Sequence, residues 1–129
     1  MNTCKISWSI IAFVIIAVYL IFSNFIFFPN QIISYDIYGY YLYLPQTFIY
    51  HDLSIHNPSQ VLALMEQYGS SSTFYQATML PEGTYVMKYS MGLAILYAPF
   101  FFIAHFLAPM LGFAADGYSF PYQVSLLLG

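Results

Sequence analysis

The feature that most constrains this chain is a pair of long apolar runs that contain no Asp, Glu, Lys or Arg. The first extends from Ile6 to Phe28 and the second from Met91 to Phe113. A helix needs about 20 apolar residues to cross the hydrocarbon core of a bilayer, so each run is long enough to span it. Only 5% of the 129 residues are charged, against about 25% in soluble domains. The sequence therefore predicts an all-α membrane protein.

The predicted layout is one polytopic membrane domain. A first transmembrane helix covers about 6–28, a large extracytoplasmic loop about 29–87, and a second transmembrane helix about 90–113. A third apolar run starts at about 121–129 and is too short to span a bilayer. The chain is therefore expected to be the N-terminal portion of a larger membrane protein.

The orientation rests on the positive-inside rule. Lys5 stands just before the first apolar run, which predicts a cytoplasmic N-terminus and an extracytoplasmic first loop. The run is longer than the apolar core of a signal peptide and no small-residue cleavage site follows it, so we expect a retained anchor. By the same reasoning Asp116 is expected on the cytoplasmic side, after the second span.

The first part of the loop predicts an amphipathic juxtamembrane helix. Aromatic and apolar residues recur at helical spacing over Asp36–Asp52, with Asp36 as a candidate N-cap. Pro45 is expected to kink this helix or split it in two. The tyrosine content is typical of segments that lie at the membrane–water boundary.

The second part of the loop predicts one more short helix and a turn. Pro58 is expected to begin the helix, with an apolar side formed by Val61, Leu62, Met65 and Tyr68. The stretch 81–84 predicts a tight turn, followed by a brief extended piece at 85–87.

Two groups of ionisable residues carry competing interpretations. His51, Asp52 and His56 have a spacing that suits a divalent metal ion, but turn hydrogen bonds beside Asn57 are the favoured interpretation, and no metal or other cofactor is predicted. His105 lies inside the second apolar run, where an ionisable group is a functional candidate. A hydrogen bond to another helix is its favoured role.

Two short blocks resemble a known family. Asp36–Tyr41 reads Asp-x-Tyr-x-Tyr-Tyr and Lys88–Ala94 reads Lys-Tyr-x-x-Gly-x-Ala, with Gly-Tyr-Ser following at 117–119. With the preceding apolar run, this order resembles the start of GT-C type membrane glycosyltransferases. The similarity is to the broad group of protein mannosyltransferases and lipid A aminoarabinose transferases, and above all to its bacterial members.

The resemblance implies a function. Such enzymes move a sugar from a polyprenyl-phosphate carrier to an acceptor on the outer face of the membrane, here the bacterial inner membrane. Their first outer loop carries an acidic residue just after the first helix, taken as the catalytic base, and this residue corresponds to Asp36. The family pattern often has a second acid directly adjacent, whereas this chain has Ile37.

The candidate site residues each have a structural alternative. Asp36 is either the base, with a pKa raised by partial desolvation, or a helix cap. Lys88 either contacts the carrier phosphate or extends to the membrane interface. Tyr38, Tyr40 and Tyr41 either bind the sugar or belong to an interfacial aromatic belt, which is the favoured interpretation.

The expected partners are membrane lipid, the polyprenyl-phosphate-linked sugar and the remaining helices of the full-length protein. Nucleic acid is excluded because two cations cannot follow a phosphate backbone. This portion alone is expected to be inactive. The alternatives are a non-enzymatic segment of a polysaccharide flippase, polymerase or ligase, or a small two-helix membrane partner protein.

Overall fold

The computed structural model describes residues 7–26 and 32–128, and this part of the chain is mostly helical. The elements in chain order are α1 (Trp8–Ile26), α2 (Tyr35–Tyr41), α3 (Tyr43–Phe48), α4 (Pro58–Tyr68), β1 (Ala77–Met79), β2 (Tyr85–Met87), α5 (Gly92–Met110) and α6 (Phe120–Leu128). The chain divides into two compact units, Met1–Asn30 and Gln31–Gly129.

The first unit is built on α1. This helix has 19 residues and is therefore about 28 Å long. Its described side chains are almost all apolar and exposed, including Trp8, Phe13 and Ile16. The ends of the predicted span, residue 6 and residues 27–28, lie outside the described part of the chain.

In the second unit, α5 is long and apolar enough to cross a membrane. Of the helices that the structure describes, α5 is the only one that is both long enough and apolar enough to do so. Only 22% of its most apolar stretch is buried. Leu96, Phe106 and Met110 are among its exposed apolar side chains, so one face of this helix has no protein partner in the described structure.

The other face of α5 packs against α6, which folds back along it. Phe113 stacks on Phe120 beside the turn, and the Tyr122 ring contacts Phe101 and His105. His105 Nδ1 lies 2.6 Å from the Tyr122 hydroxyl. The prediction that His105 makes a hydrogen bond between helices is therefore confirmed.

The predicted helix over Asp36–Asp52 is divided into α2 and α3 at Leu42. Pro45 has no N–H to donate to the carbonyl of Tyr41, so the helical ladder is interrupted one turn before the proline. The prediction of a split at this proline is confirmed. The N-cap prediction is wrong, because Ser34 occupies that position and Asp36 lies in the first turn.

The rest of the loop forms α4 and a small β-hairpin. Pro58 begins α4 as predicted, with Val61 and Met65 buried, while Leu62 is exposed. β1 pairs with β2 in antiparallel register, Thr78 opposite Val86. The tight turn and the extended piece at 85–87 were predicted, but β1 was not, so the all-α assignment is wrong in this detail.

The turn between α5 and α6 contacts the loop elements. The Tyr41 hydroxyl donates to the Gly117 carbonyl at 2.6 Å, and the Tyr50 hydroxyl donates to the Asp116 carbonyl at 2.8 Å. These hydrogen bonds hold the turn after α5 against the segment that contains α2 and α3. The side of the membrane on which Asp116 lies stays a prediction.

Candidate functional site

The candidate site is centred on the Asp36 carboxylate in the first turn of α2. Asp36 is exposed, and its Oδ1 accepts hydrogen bonds from the Tyr75 hydroxyl at 2.9 Å and the Tyr89 hydroxyl at 2.5 Å. Tyr75 lies just before β1 and Tyr89 just after β2. Two segments far from Asp36 in sequence therefore hold one of its oxygens.

Gly39 allows Tyr89 to reach the carboxylate. A Cβ added at Gly39 would lie 2.3 Å from Cδ2 of the Tyr89 ring. The Tyr40 ring packs edge-on against Tyr89 with centroids 4.7 Å apart, and the Tyr43 hydroxyl donates to the Tyr89 carbonyl at 2.6 Å. Asp36, Gly39, Tyr40 and Tyr43 recur at helical spacing, so one helical face receives Tyr89.

Backbone hydrogen bonds frame the same site. Tyr35 N donates to the Ser70 carbonyl at 3.0 Å, and the Gln76 side-chain amide donates to the Tyr35 carbonyl at 3.0 Å. Lys88 N donates to the Gln76 carbonyl at 2.9 Å. Gln76 is fully buried, so it joins the turn that carries Asp36 to the turn that carries Lys88.

The hydrogen bonds lower the pKa of Asp36. The bond from Tyr89, followed by the bond from Tyr75, holds the pKa of Asp36 below its ordinary value. Both bonds favour the ionised carboxylate. The prediction that desolvation raises this pKa is wrong, because the carboxylate is exposed and the hydrogen bonds outweigh the small effect of burial.

The second carboxylate oxygen is available to a ligand. Asp36 Oδ2 accepts no hydrogen bond from residues 7–26 or 32–128, whereas Oδ1 accepts two. The bond to Asp36 is also the main reason that the pKa of Tyr89 is raised. The site therefore presents an ionised carboxylate with one free oxygen between two neutral phenols.

The structure separates the predicted site residues into two groups. Tyr40 is half-buried against Tyr89, and Lys88 is exposed and directly precedes Tyr89. Tyr38 and Tyr41 are completely buried in the second unit. Asp36 and Tyr40 thus both contact Tyr89, while the rings of Tyr38 and Tyr41 are buried.

The sequence reasoning missed two residues of the site. Tyr89 was inside the Lys-Tyr-x-x-Gly-x-Ala block but had no assigned role, and Tyr75 belonged to no motif. Their roles depend on how the hairpin folds onto α2, and no local pattern shows this. The helical spacing of Asp36 and Gly39 was the available signal for a face that accepts a large side chain.

A second carboxylate, Asp116, has a structural role. Its Oδ1 accepts from the backbone N–H groups of Tyr118 and Ser119, each at 2.9 Å, and its Oδ2 accepts from the Tyr68 hydroxyl. Burial raises the pKa of Tyr50, which donates to the Asp116 carbonyl, to about 12. Asp116 therefore fastens the turn between α5 and α6 to the segments around α3 and α4.

The His51, Asp52 and His56 group forms a turn. Asp52 Oδ1 accepts from His56 N at 3.0 Å and lies 2.7 Å from His56 Nδ1, and Oδ2 accepts from Asn57 N at 3.0 Å. The preference for turn hydrogen bonds is confirmed. Within the described ranges, no group of three or more His, Cys, Asp or Glu is placed to hold a metal ion.

Replacing Tyr89 with phenylalanine is expected to raise the pKa of Asp36 towards its ordinary value. The variant removes the largest cause of the depression and keeps the ring that packs on Gly39. Because the folded-state pKa is depressed, the hydrogen bonds stabilise the fold above the unfolded pKa and lose this effect as pH falls through the folded pKa. NMR titration of Asp-labelled protein measures the change.

The control for this titration is Tyr85→Phe, which changes a tyrosine of the adjacent strand that has no role in lowering the pKa of Asp36. Asp36 is expected to titrate there as in the unmodified protein. The same Asp36 titration in Tyr89→Phe and the unmodified protein would contradict the assigned cause.

The comparisons with known proteins found no match for this chain. No protein-family model, no curated protein and no solved structure matches it. The resemblance to GT-C glycosyltransferases stays a prediction from the short sequence blocks.

Proposed function

We propose that this chain is the N-terminal part of a GT-C type membrane glycosyltransferase that uses Asp36 as its general base. The observation that carries the proposal is the Asp36 carboxylate, exposed and held through one oxygen by Tyr75 and Tyr89. Lys88, one residue before Tyr89 in the chain, is exposed and is proposed as the cation of the same site. An acid and a cation at one site suit transfer from a phosphate-linked sugar.

The proposed reaction is a single displacement at the anomeric carbon. Asp36 Oδ2 takes the proton of the acceptor hydroxyl as the acceptor oxygen bonds to that carbon. The bond between the anomeric carbon and the carrier phosphate breaks, and the phosphate oxygen leaves with the electron pair. Lys88 stabilises the negative charge of the departing phosphate. The configuration at the anomeric carbon is inverted.

The low pKa of Asp36 fits a general base that the hydrogen bonds orient but do not make more basic. A depressed pKa weakens a general base, and the carboxylate is ionised at neutral pH with or without the depression. The hydroxyls of Tyr75 and Tyr89 fix Oδ1, so that Oδ2 has a defined direction. Such positioning is itself a source of rate acceleration.

The proposal includes integral membrane location. The exposed apolar face of α5 suits contact with lipid, and α1 is proposed as a further span with its N-terminus in the cytoplasm. On this proposal α6 begins a third span, and α2 and α3 lie beside α5. Asp36 follows α1 and faces the outside of the bacterial inner membrane, where it meets the lipid-linked sugar.

The test is sugar transfer by the complete gene product in sealed bacterial membrane vesicles. Radiolabelled polyprenyl-phosphate sugars are incorporated into the vesicle membrane. Transfer to an acceptor that is added to the outside solution and does not cross the membrane is then measured. Right-side-out vesicles are expected to show transfer that inverted vesicles and vesicles from a deletion strain lack. Equal signals in deletion and complemented vesicles would contradict the proposal and favour a non-enzymatic membrane segment.

A further inference from the structure

Gln76 connects the turn that carries Asp36 to the β-hairpin. Its side-chain Nε2 donates to the Tyr35 carbonyl at 3.0 Å, and that carbonyl belongs to the peptide bond that leads into Asp36. Its own carbonyl accepts from Lys88 N at 2.9 Å, which extends the pairing of β1 with β2 by one residue on each strand. One fully buried residue therefore joins the carboxylate's turn to both strands.

The two phenols that bind Asp36 lie next to this connection. Tyr75 directly precedes Gln76, and the hairpin register, continued past the strand ends, sets Tyr75 opposite Tyr89. Both hydroxyls donate to Asp36 Oδ1, at 2.9 Å and 2.5 Å. The carboxylate accepts both bonds only while its turn and the hairpin keep their relative position. The side chain of Gln76 is a direct hydrogen bond between the two.

The backbone conformation just before Asp36 also depends on this bond. The φ of Tyr35 is +49°, in the left-handed region that bulky residues rarely occupy. Such strain persists where the surrounding structure enforces it. The Ser70 carbonyl holds the Tyr35 N–H and Gln76 holds the Tyr35 carbonyl, each at 3.0 Å. Without the second bond, Tyr35 is expected to relax towards a negative φ and to turn Asp36 away from the phenols.

Stability alone does not explain a glutamine at this position. Gln76 is fully buried, and its Oε1 has no hydrogen-bond partner among residues 7–26 and 32–128. A buried polar atom without a partner costs free energy, and an apolar side chain of similar size would avoid that cost. What the amide supplies, and an apolar residue would not, is the bond from Nε2 to the Tyr35 carbonyl.

We infer that Gln76 is a positioning residue for the transfer reaction, which orients the Asp36 carboxylate without touching the substrate. This inference rests on the proposed function. Gln76 holds the turn before Asp36, so that Oδ1 receives both phenols and Oδ2 stays directed towards the acceptor hydroxyl. A shift of about 1 Å in a catalytic group can cost about 100-fold in rate.

The variant Gln76→Met removes the amide and keeps a side chain of similar size. It is expected to lower the kcat of transfer by the complete gene product about 10- to 100-fold, in line with a displaced base. The KM is expected to stay unchanged, because Gln76 does not touch the substrate. The pKa of Asp36 is expected to rise towards its ordinary value as the bonds from Tyr89 and Tyr75 weaken. Initial rates in right-side-out vesicles and NMR titration of Asp-labelled protein measure these changes.

The matched control is Gln46→Met. Gln46 is a second buried glutamine of the same unit, 1% exposed, and its Nε2 makes no hydrogen bond within the described part of the chain. The same substitution there is expected to leave the kcat and the Asp36 titration unchanged. A general disturbance of the core would instead appear in both variants, and in their melting temperatures.

A second variant, Gln76→Glu, tests the donor itself. Burial raises the pKa of a carboxyl group at this position. Below that pKa the carboxyl is protonated, and its O–H can donate to the Tyr35 carbonyl in place of the amide. Above it the donor is lost. The kcat of this variant, divided by that of the unmodified protein at the same pH, is therefore expected to rise as pH falls.

Other titrating groups do not produce the same pH dependence. The titratable residues on the segments that contact Gln76 are Tyr35, Asp36, Tyr75, Lys88 and Tyr89. Tyrosine and lysine side chains ordinarily titrate near pH 10, well above the range in which a carboxyl does. Asp36 is present in both proteins, so division by the unmodified rate corrects for its own protonation.

Three results would overturn the inference. Unchanged kcat and Asp36 titration in Gln76→Met, with transfer still dependent on Asp36, would remove Gln76 and leave the proposed function intact. A kcat loss in Gln76→Glu that is the same at every pH, or an equal loss in Gln46→Met, would assign Gln76 to core packing. Absence of transfer in the unmodified protein would remove the proposed function together with the inference.

Discussion

Asp36→Asn is expected to lower the rate of sugar transfer about 100- to 10,000-fold, the range for loss of a general base. The amide keeps the shape of the side chain and an oxygen that accepts from Tyr75 and Tyr89. It has no basic oxygen to take the acceptor's proton. The loss is therefore expected in kcat, with the fold and the melting temperature close to those of the unmodified protein.

The measurement is the initial rate of transfer from the polyprenyl-phosphate donor in right-side-out vesicles, normalised to the amount of protein in the membrane. Glu82→Gln is the matched control, because it makes the same carboxylate-to-amide change at an exposed turn of the same loop. Its rate is expected to equal that of the unmodified protein. An Asp36→Asn rate above half of the control rate would exclude Asp36 as the base.

The parts of the fold that were predictable from sequence are those with local causes. Pro45 interrupts a helical ladder wherever the helix lies, and Pro58 favours the first turn of a helix through its fixed φ. The apolar composition of α5 determines its length and character with little reference to its neighbours. These features follow from a few adjacent residues, so a pattern in the sequence was enough to find them.

The features that were not predictable depend on contacts between distant segments. The residues alone favoured a structural role for Asp36 and the family resemblance favoured a base, and its actual partners, Tyr75 and Tyr89, are 39 and 53 residues away. Tyr38 and Tyr41 face the interior because Tyr118, near the end of the chain, stacks or packs on both. A helix with aromatic residues on every face gives no sequence signal for which of them are buried.

The contacts of Asp116 show the same limit. An acid after an apolar run is the usual sign of a membrane boundary, and nothing in the sequence indicates which segments it contacts. The hydroxyls of Tyr50 and Tyr68 bring that acid back beside the loop. The sequence block at 117–119 therefore has a structural explanation, because Asp116 binds the N–H groups of Tyr118 and Ser119.

Gly39→Ala is expected to destabilise the protein by about 1–3 kcal/mol, as overpacking of a filled site does. The added Cβ would lie 2.3 Å, 2.4 Å and 3.0 Å from three atoms of the Tyr89 ring. The Tyr40 ring packs against the Tyr89 ring, and the Tyr43 hydroxyl donates to the Tyr89 backbone carbonyl. Tyr89 therefore cannot move away from Gly39 without losing these contacts. The gain in helix propensity from glycine to alanine, about 1 kcal/mol, offsets part of the cost.

The measurement is thermal unfolding in detergent, paired with the NMR titration of Asp36. Displacement of Tyr89 breaks its hydrogen bond to Asp36, so the pKa of Asp36 is expected to rise in the same variant. Gly92→Ala is the matched control, since nothing lies within 4 Å of the Cβ that it adds at the start of α5. It is expected to be neutral or slightly stabilising.

A double-mutant cycle assigns the cost of Gly39→Ala to the Tyr89 ring. In a Tyr89→Ala background the clash has no partner, so alanine at Gly39 is expected to be neutral or stabilising through helix propensity alone. A penalty that persists without the ring would show that the backbone of α2, and not its contact with Tyr89, requires glycine. In the expected case, the absence of a side chain at Gly39 is what lets Tyr89 orient the Asp36 carboxylate.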